Sequence, residues 1–174
     1  MAKMNIVLYP DGPLTKVATP YDQIGPEVAK LAADMFDTMY AQEGVGLAGP
    51  QVGVGKRIFV LHDPETDTKL CLVNPELSEH QGEALGSEGC LSLPELYAEI
   101  PRATRIHVRA LDQFGKPLEF DAKDFLARII QHENDHLDGI VILDRVDVLT
   151  RFALQQDWDR IRERMLNGAC AERA

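Results

Sequence analysis

The segment His132-Glu133-Asn134-Asp135-His136 constrains this chain more than any other, because its chemistry exists only on a helix. Positions i and i+4 of an α-helix share one face a turn apart, so both imidazoles can reach a single cation. Glu133, beside the first histidine, can then address a water at the same ion. The flanking residues supply the helix independently. Phe125, Leu126, Ile129, Ile130 and Leu137 form an apolar stripe, Asp121 or Asp124 can cap its start, and the helix is expected to end near Gly139. Taken alone, the pentapeptide also fits two helix-face histidines in ordinary hydrogen bonds.

A hydrolytic ion needs a third protein ligand and an open position. A metzincin-type third histidine would fall at position 142, which is Ile142, so that arrangement is excluded. Two sources remain. A thermolysin-like site would take a carboxylate further on, where Asp157 and Glu163 lie on a mixed-charge segment. The other source is Cys90, within Glu88-Gly89-Cys90-Leu91-Ser92-Leu93-Pro94. A lone cysteine beside leucine is ordinarily a small buried apolar residue. Here Gly86, Gly89 and Pro94 mark a tight backbone path around it.

The rest of the chain frames this helix. Val28, Leu31, Ala32, Met35, Phe36, Met39 and Tyr40 follow helical spacing from Pro26 to about Ala41. Residues 57–61, 70–73 and 104–110 read as strands between turn residues, and Gln113-Phe114-Gly115-Lys116 as a hairpin turn. Leu154, Trp158, Ile161 and Met165 share one face of a terminal helix over about 148–167, with Gly168 as its stop. The expectation is an α+β fold, in which short antiparallel strands pack around a central metal-binding helix with an N-terminal and a C-terminal helix. A length of 174 residues suits one domain, 1–174.

A formal charge of -10 argues against direct nucleic-acid binding, which needs clustered Lys and Arg. Cys71, Cys90 and Cys170 are odd in number and far apart, which favours a reducing compartment over a disulfide framework. The first ten residues carry too short an apolar run for a signal peptide, and no run approaches membrane-spanning length. A cytoplasmic location and no membrane partner are therefore expected.

Three segments together resemble the peptide deformylase family: Gly44-Val45-Gly46-Leu47-Ala48-Gly49-Pro50-Gln51, Glu88-Gly89-Cys90-Leu91-Ser92 and Gln131-His132-Glu133-Asn134-Asp135-His136. They occur in the family's order, and the similarity covers roughly residues 5–147. The resemblance implies a hydrolase that removes the formyl group from N-terminal formylmethionine of new polypeptides. Cys90, His132 and His136 would hold the metal, Fe2+ in the cell, although this ligand set also suits Zn2+, Ni2+ or Co2+. Glu133 would carry the proton, and the Gln51 side-chain amide and Leu91 backbone N–H would stabilise the oxyanion. Gly46 would let the substrate backbone approach, and Val45, Leu91, Phe125 and Ile129 would form the methionine pocket. By the same resemblance Glu43 would pair with Arg102, and Asp135 and Glu88 would support the ligands. Two departures stand out: Gly49 where relatives commonly have Ala, and Tyr97 where some bacterial members carry an Arg. Formylmethionyl peptides are the implied substrate. Arg151, Arg160, Arg162 and Arg164 raise a contact near the ribosomal exit site, against the interleaved Asp157, Asp159 and Glu163.

Overall fold

The computed structural model describes residues 3–171; positions 1, 2 and 172–174, which the 1–174 reading includes, lie outside the described residues. Its helices are α1 (Pro26–Ala41), α2 (Asp124–Leu137) and α3 (Val148–Ala171). Its strands are β1 (Gly46–Ala48), β2 (Ile58–Asp63), β3 (Thr68–Gln81), β4 (Ala84–Cys90), β5 (Leu93–Arg102), β6 (Arg105–Leu111) and β7 (Pro117–Lys123). All pairings between these strands are antiparallel: β1-β2-β3-β6-β7 form one sheet, and β4 with β5 a separate hairpin. This is the α+β class that the sequence implies.

Burial on both faces of β2 explains its composition. In β2, Ile58 and Val60 join Val28, Ala32, Met35 and Met39 of α1 in one apolar layer. Phe59 and Leu61 point the other way, into a layer with Ala127, Ile130 and Leu137 of α2. A strand covered twice reads as an unbroken apolar run, as Ile58-Phe59-Val60-Leu61 does. α2 therefore lies against the sheet by its apolar stripe and turns its histidines elsewhere.

The hairpin has a core of its own. Leu93, Leu96, Ala98 and Ile100 of β5 pack with Val141, Ile142, Leu143 and Trp158 of α3. Trp158 is fully buried, and its indole N–H donates to the Tyr9 carbonyl at 3.0 Å. Trp158→Ala should destabilise the fold by about 3–5 kcal/mol in urea denaturation, the cost of a large buried cavity. A loss under about 1 kcal/mol would mean that α3 contributes little to this core.

Several boundaries differ from the sequence expectation, each for a local reason. Neither Asp121 nor Asp124 caps α2. Asp121 is in β7, bonded to His107 at 2.8 Å, and Asp124 is the first helical residue, with a left-handed φ of 52° and no side-chain cap. Gly139 does follow the helix end, with φ of 72°. Gly168 does not stop α3, which runs on to Ala171. β3 extends well past Val73 to Gln81, bending through bulges near Asn74 and Glu79, both of positive φ. Asn74 offsets the irregularity by exchanging two 2.9 Å bonds with the Tyr21 backbone.

Candidate metal centre

Two elements each bring part of one candidate ligand set. Cys90 ends β4, where a register shift between Gly89 and Cys90 turns the strand into the 91–92 turn. His132 and His136 lie one turn apart on α2. One ligand atom from each of the three residues lies within 4.8 Å of the others. The Cys90 Sγ is 3.4 Å from His136 Nε2. Ordinary zinc–sulfur and zinc–nitrogen bonds at a tetrahedral angle would separate such atoms by about 3.5 Å, so the spacing fits one ion. With three protein ligands, one tetrahedral position is left for water or substrate, as in hydrolytic rather than structural sites. Asp157 and Glu163, the other candidate ligands, lie on α3, outside this cluster.

The surroundings favour a cation. His132 Nδ1 meets Glu88 Oε1 at 2.9 Å, which fixes the imidazole so that Nε2 is the nitrogen left for an ion. Burial acts to lower the His132 pKa, but the hydrogen bonds with Cys90 and Glu88 outweigh it and hold it well above the ordinary range. The same field that favours charge on that ring favours a metal beside it. Burial and the positive charges of His132 and Arg102 keep His136 well below its ordinary value, so it is neutral and able to ligate. Burial behind the sheet, helped by Asp112, pushes the Cys71 thiol up to about 12.

Glu88 is the hub of a buried charge network. Burial would raise its pKa, but His132 and Arg102 pull it down to about 2, leaving it ionised. Arg102 bonds it twice, at 3.0 and 2.9 Å, and reaches Asp135 at 2.6 Å. Asp135 in turn holds Arg145 at 2.6 and 3.0 Å. Arg102 therefore does not pair with Glu43, as the resemblance suggested. Glu43 is exposed just past α1, while Arg102 is buried between two carboxylates that satisfy it.

Beside Cys90 and His132 opens a cavity of about 480 Å³, within the range of small-molecule sites. Val45, Gly46, Gln51, Leu91, Phe125, Ile129 and Glu133 all line it, so the sequence-selected residues converge on one space. Val45 sits at its edge, 39% exposed, and Ile129 is buried inside. Glu133 is 4% exposed, and burial pushes its carboxyl up to about 7, with the His132 charge opposing. Its Oε2 is buried with no hydrogen-bond partner. A Cβ at position 46 would collide with this carboxylate, so a larger residue there would displace it.

Gln51 is oriented by its own loop. Its Oε1 accepts from the Ala48 N–H at 2.8 Å, so the amide NH2 faces the site and lies 3.5 Å from Cys90 Sγ. At Gly49 a Cβ would come within 2.9 Å of the Val54 and Lys56 carbonyls. The loop is thus closed tightly over this glycine. Tyr97 stands 67% exposed at the cavity rim, its ring against Gly89.

Arg128, which the sequence does not mark out, also lines the cavity and bonds Glu88 at 2.6 Å. Its position one helical turn before His132 was the available signal, but an arginine at such a place ordinarily reads as a solvated face.

A family model described as Polypeptide deformylase matches residues 3–152. Among solved structures, a peptide deformylase from Legionella pneumophila is 39% identical with a TM-score of 0.87, over 95% of this chain and 98% of that one. One from Ehrlichia chaffeensis is 35% identical with a TM-score of 0.87, over 94% and 99%. Peptide deformylase 1B from Arabidopsis thaliana is 31% identical with a TM-score of 0.85, over 95% and 93%.

Proposed function

We propose, from the premise that this chain belongs to the polypeptide deformylase family, that it hydrolyses the formyl amide of N-terminal formylmethionine on new polypeptides, releasing formate. The observation that carries the proposal is the meeting of Cys90, His132 and His136 beneath a cavity walled by the unpartnered Glu133 carboxylate. Cys90, His132 and His136 would hold a divalent cation, which would supply Lewis acidity and make water a better nucleophile near neutral pH.

The remaining steps belong to the chain's own groups. Glu133, with a pKa of about 7, takes the proton of the attacking water and returns it to the departing amine. The Gln51 NH2 and the Leu91 backbone N–H donate to the oxygen that becomes negative in the tetrahedral intermediate. Gly46 admits the substrate backbone beside Glu133, where a side chain would block it. Val45, Leu91, Phe125 and Ile129 receive the methionine side chain. Gln51→Leu should lower kcat by about 100-fold or more while metal content is retained. Loss of metal instead would assign the amide to the Cys90 sulfur alone.

The native ion in this reading is Fe2+, with Zn2+, Ni2+ or Co2+ able to occupy the same ligands. The direct test is anaerobic metal analysis joined to formate release from a formylmethionyl peptide. Iron content and stoichiometric formate support the proposal. Cleavage of an unformylated peptide with the formyl group of its counterpart untouched would overturn it.

The proposal places the enzyme, as one catalytic domain, in the cytoplasm among emerging chains. Among the described residues no helix is long and apolar enough to cross a membrane. A contact near the ribosomal exit site through α3 belongs to the same reading. Arg151, Arg160, Arg162 and Arg164 are each paired with a carboxylate, which leaves little free positive charge for RNA phosphates. Unchanged ribosome co-sedimentation after replacing Arg151, Arg160, Arg162 and Arg164 by Gln would remove that part.

A further inference from the structure

We propose that Arg128 is a positioning residue that sets the spacing between Cys90 and the two imidazoles, an inference that rests on the metal-dependent reading above. The ligand set is split between two elements, and Arg128 is fastened to both. It projects from α2 one turn before His132, and its Nη1 donates to Glu88 Oε2 at 2.6 Å and to the Ile100 carbonyl at 2.9 Å. Its Nη2 donates to the Ala84 carbonyl at 2.7 Å. Those acceptors lie on both strands of the hairpin that carries Cys90 at its far end. One guanidinium thus joins the helix to β4, to β5 and to the carboxylate that orients His132.

Arg102 cannot take over this task. Its charge is divided between Glu88 and Asp135, whereas the ion pair of Arg128 is with Glu88 alone. The hairpin is also shaped for Arg128. A Cβ at Gly86 would lie 2.9 Å from the Arg128 Cζ and 3.1 Å from Nη2, so glycine is what allows the guanidinium to lie flat on β4. The planar fork matters, since three acceptors in different directions are beyond the reach of an equally compact neutral group.

The experiment uses the full-length protein, Zn2+ and Co2+ as probes, and the variants Arg128→Gln, Arg128→Lys, Gly86→Ala and the Arg128→Gln/Gly86→Ala pair. Chelator competition should show Arg128→Gln holding Zn2+ about 10- to 100-fold more weakly, with Arg128→Lys recovering part of the loss. The sulfur-to-Co2+ absorption band should weaken in parallel. Gly86→Ala should copy Arg128→Gln, and in the pair the two effects should fail to add, because both break one contact. In peptide assays the loss should fall on kcat at limiting metal, with KM moving by less than about threefold. Zn2+ affinity within about threefold of the parent, combined with a raised KM, would overturn the proposal and leave Arg128 as a wall of the cavity. Failure of the parent protein to release formate would instead defeat the deformylase reading, while the Zn2+ measurements would still decide the role of Arg128.

Discussion

Glu133→Ala should lower formate release by about 10²- to 10⁴-fold, the usual worth of a positioned proton carrier, and keep its metal. The carboxylate is buried to 4% exposure beside Gly46, with one oxygen lacking any partner. Nothing in the fold gains from that arrangement, because an unsatisfied buried oxygen is a cost of about 1–3 kcal/mol. Removing it should therefore raise thermal stability as activity disappears, a combination that a structural glutamate would not produce. The measurements are metal content, melting temperature and single-turnover formate release on one preparation. Retained turnover would refute the role. Loss of metal together with activity would move Glu133 into the scaffold of the ligands.

The second large effect is expected at Cys90. Structural zinc sites of four ligands bind with about 10–16 kcal/mol, so one ligand is worth about 2.5–4 kcal/mol. At about 1.4 kcal/mol per decade, Cys90→Ala should weaken Zn2+ binding by roughly 10²- to 10³-fold and abolish turnover at ordinary metal concentrations. Cys71→Ala is the matched control. That thiol lies in the layer between the large sheet and α1, with a pKa of about 12, and its removal should leave metal binding as it was. Wild-type affinity in Cys90→Ala would show that the sulfur is a neighbour of the two imidazoles and not a ligand.

The parts of the fold that announced themselves are those held by apolar periodicity. α1 shows its buried face as Val28, Ala32, Met35, Phe36 and Met39, and β2 shows its double burial as an unbroken apolar run. The hairpin is different. The buried residue within β4 is Glu88, and the strand is otherwise rich in glycine, because its neighbours are guanidinium groups and a tyrosine ring rather than a core. β5 does alternate, but Pro94, Pro101 and the left-handed Glu95 interrupt the pattern. A strand shaped by a site has no hydrophobic period to read.

The same distinction runs through the centre itself. The histidine pair was readable because helical spacing is a local rule. Cys90 was one of two candidate third ligands on the residues alone, and only the family resemblance preferred it to Asp157 or Glu163, since no local rule relates a hairpin to a distant helix. Arg102 was assigned the wrong carboxylate, because charge alone does not reveal that Glu88 and Asp135 are buried on either side of it. Arg128 was passed over for a related reason: the space that accepts it is made by Gly86, 42 positions earlier, and appears only when β4 lies against α2.

That separation fixes the order of events in the making of the enzyme. The sulfur and the second imidazole stand 46 positions apart and meet only after hairpin and helix have docked. Before docking, only the two imidazoles have a spacing that local helix geometry can hold, while the sulfur has no fixed place beside them. Under the proposed ligand assignment the site is complete only in the folded protein, so identical polypeptides from iron-rich and zinc-rich cultures should differ in metal content and specific activity.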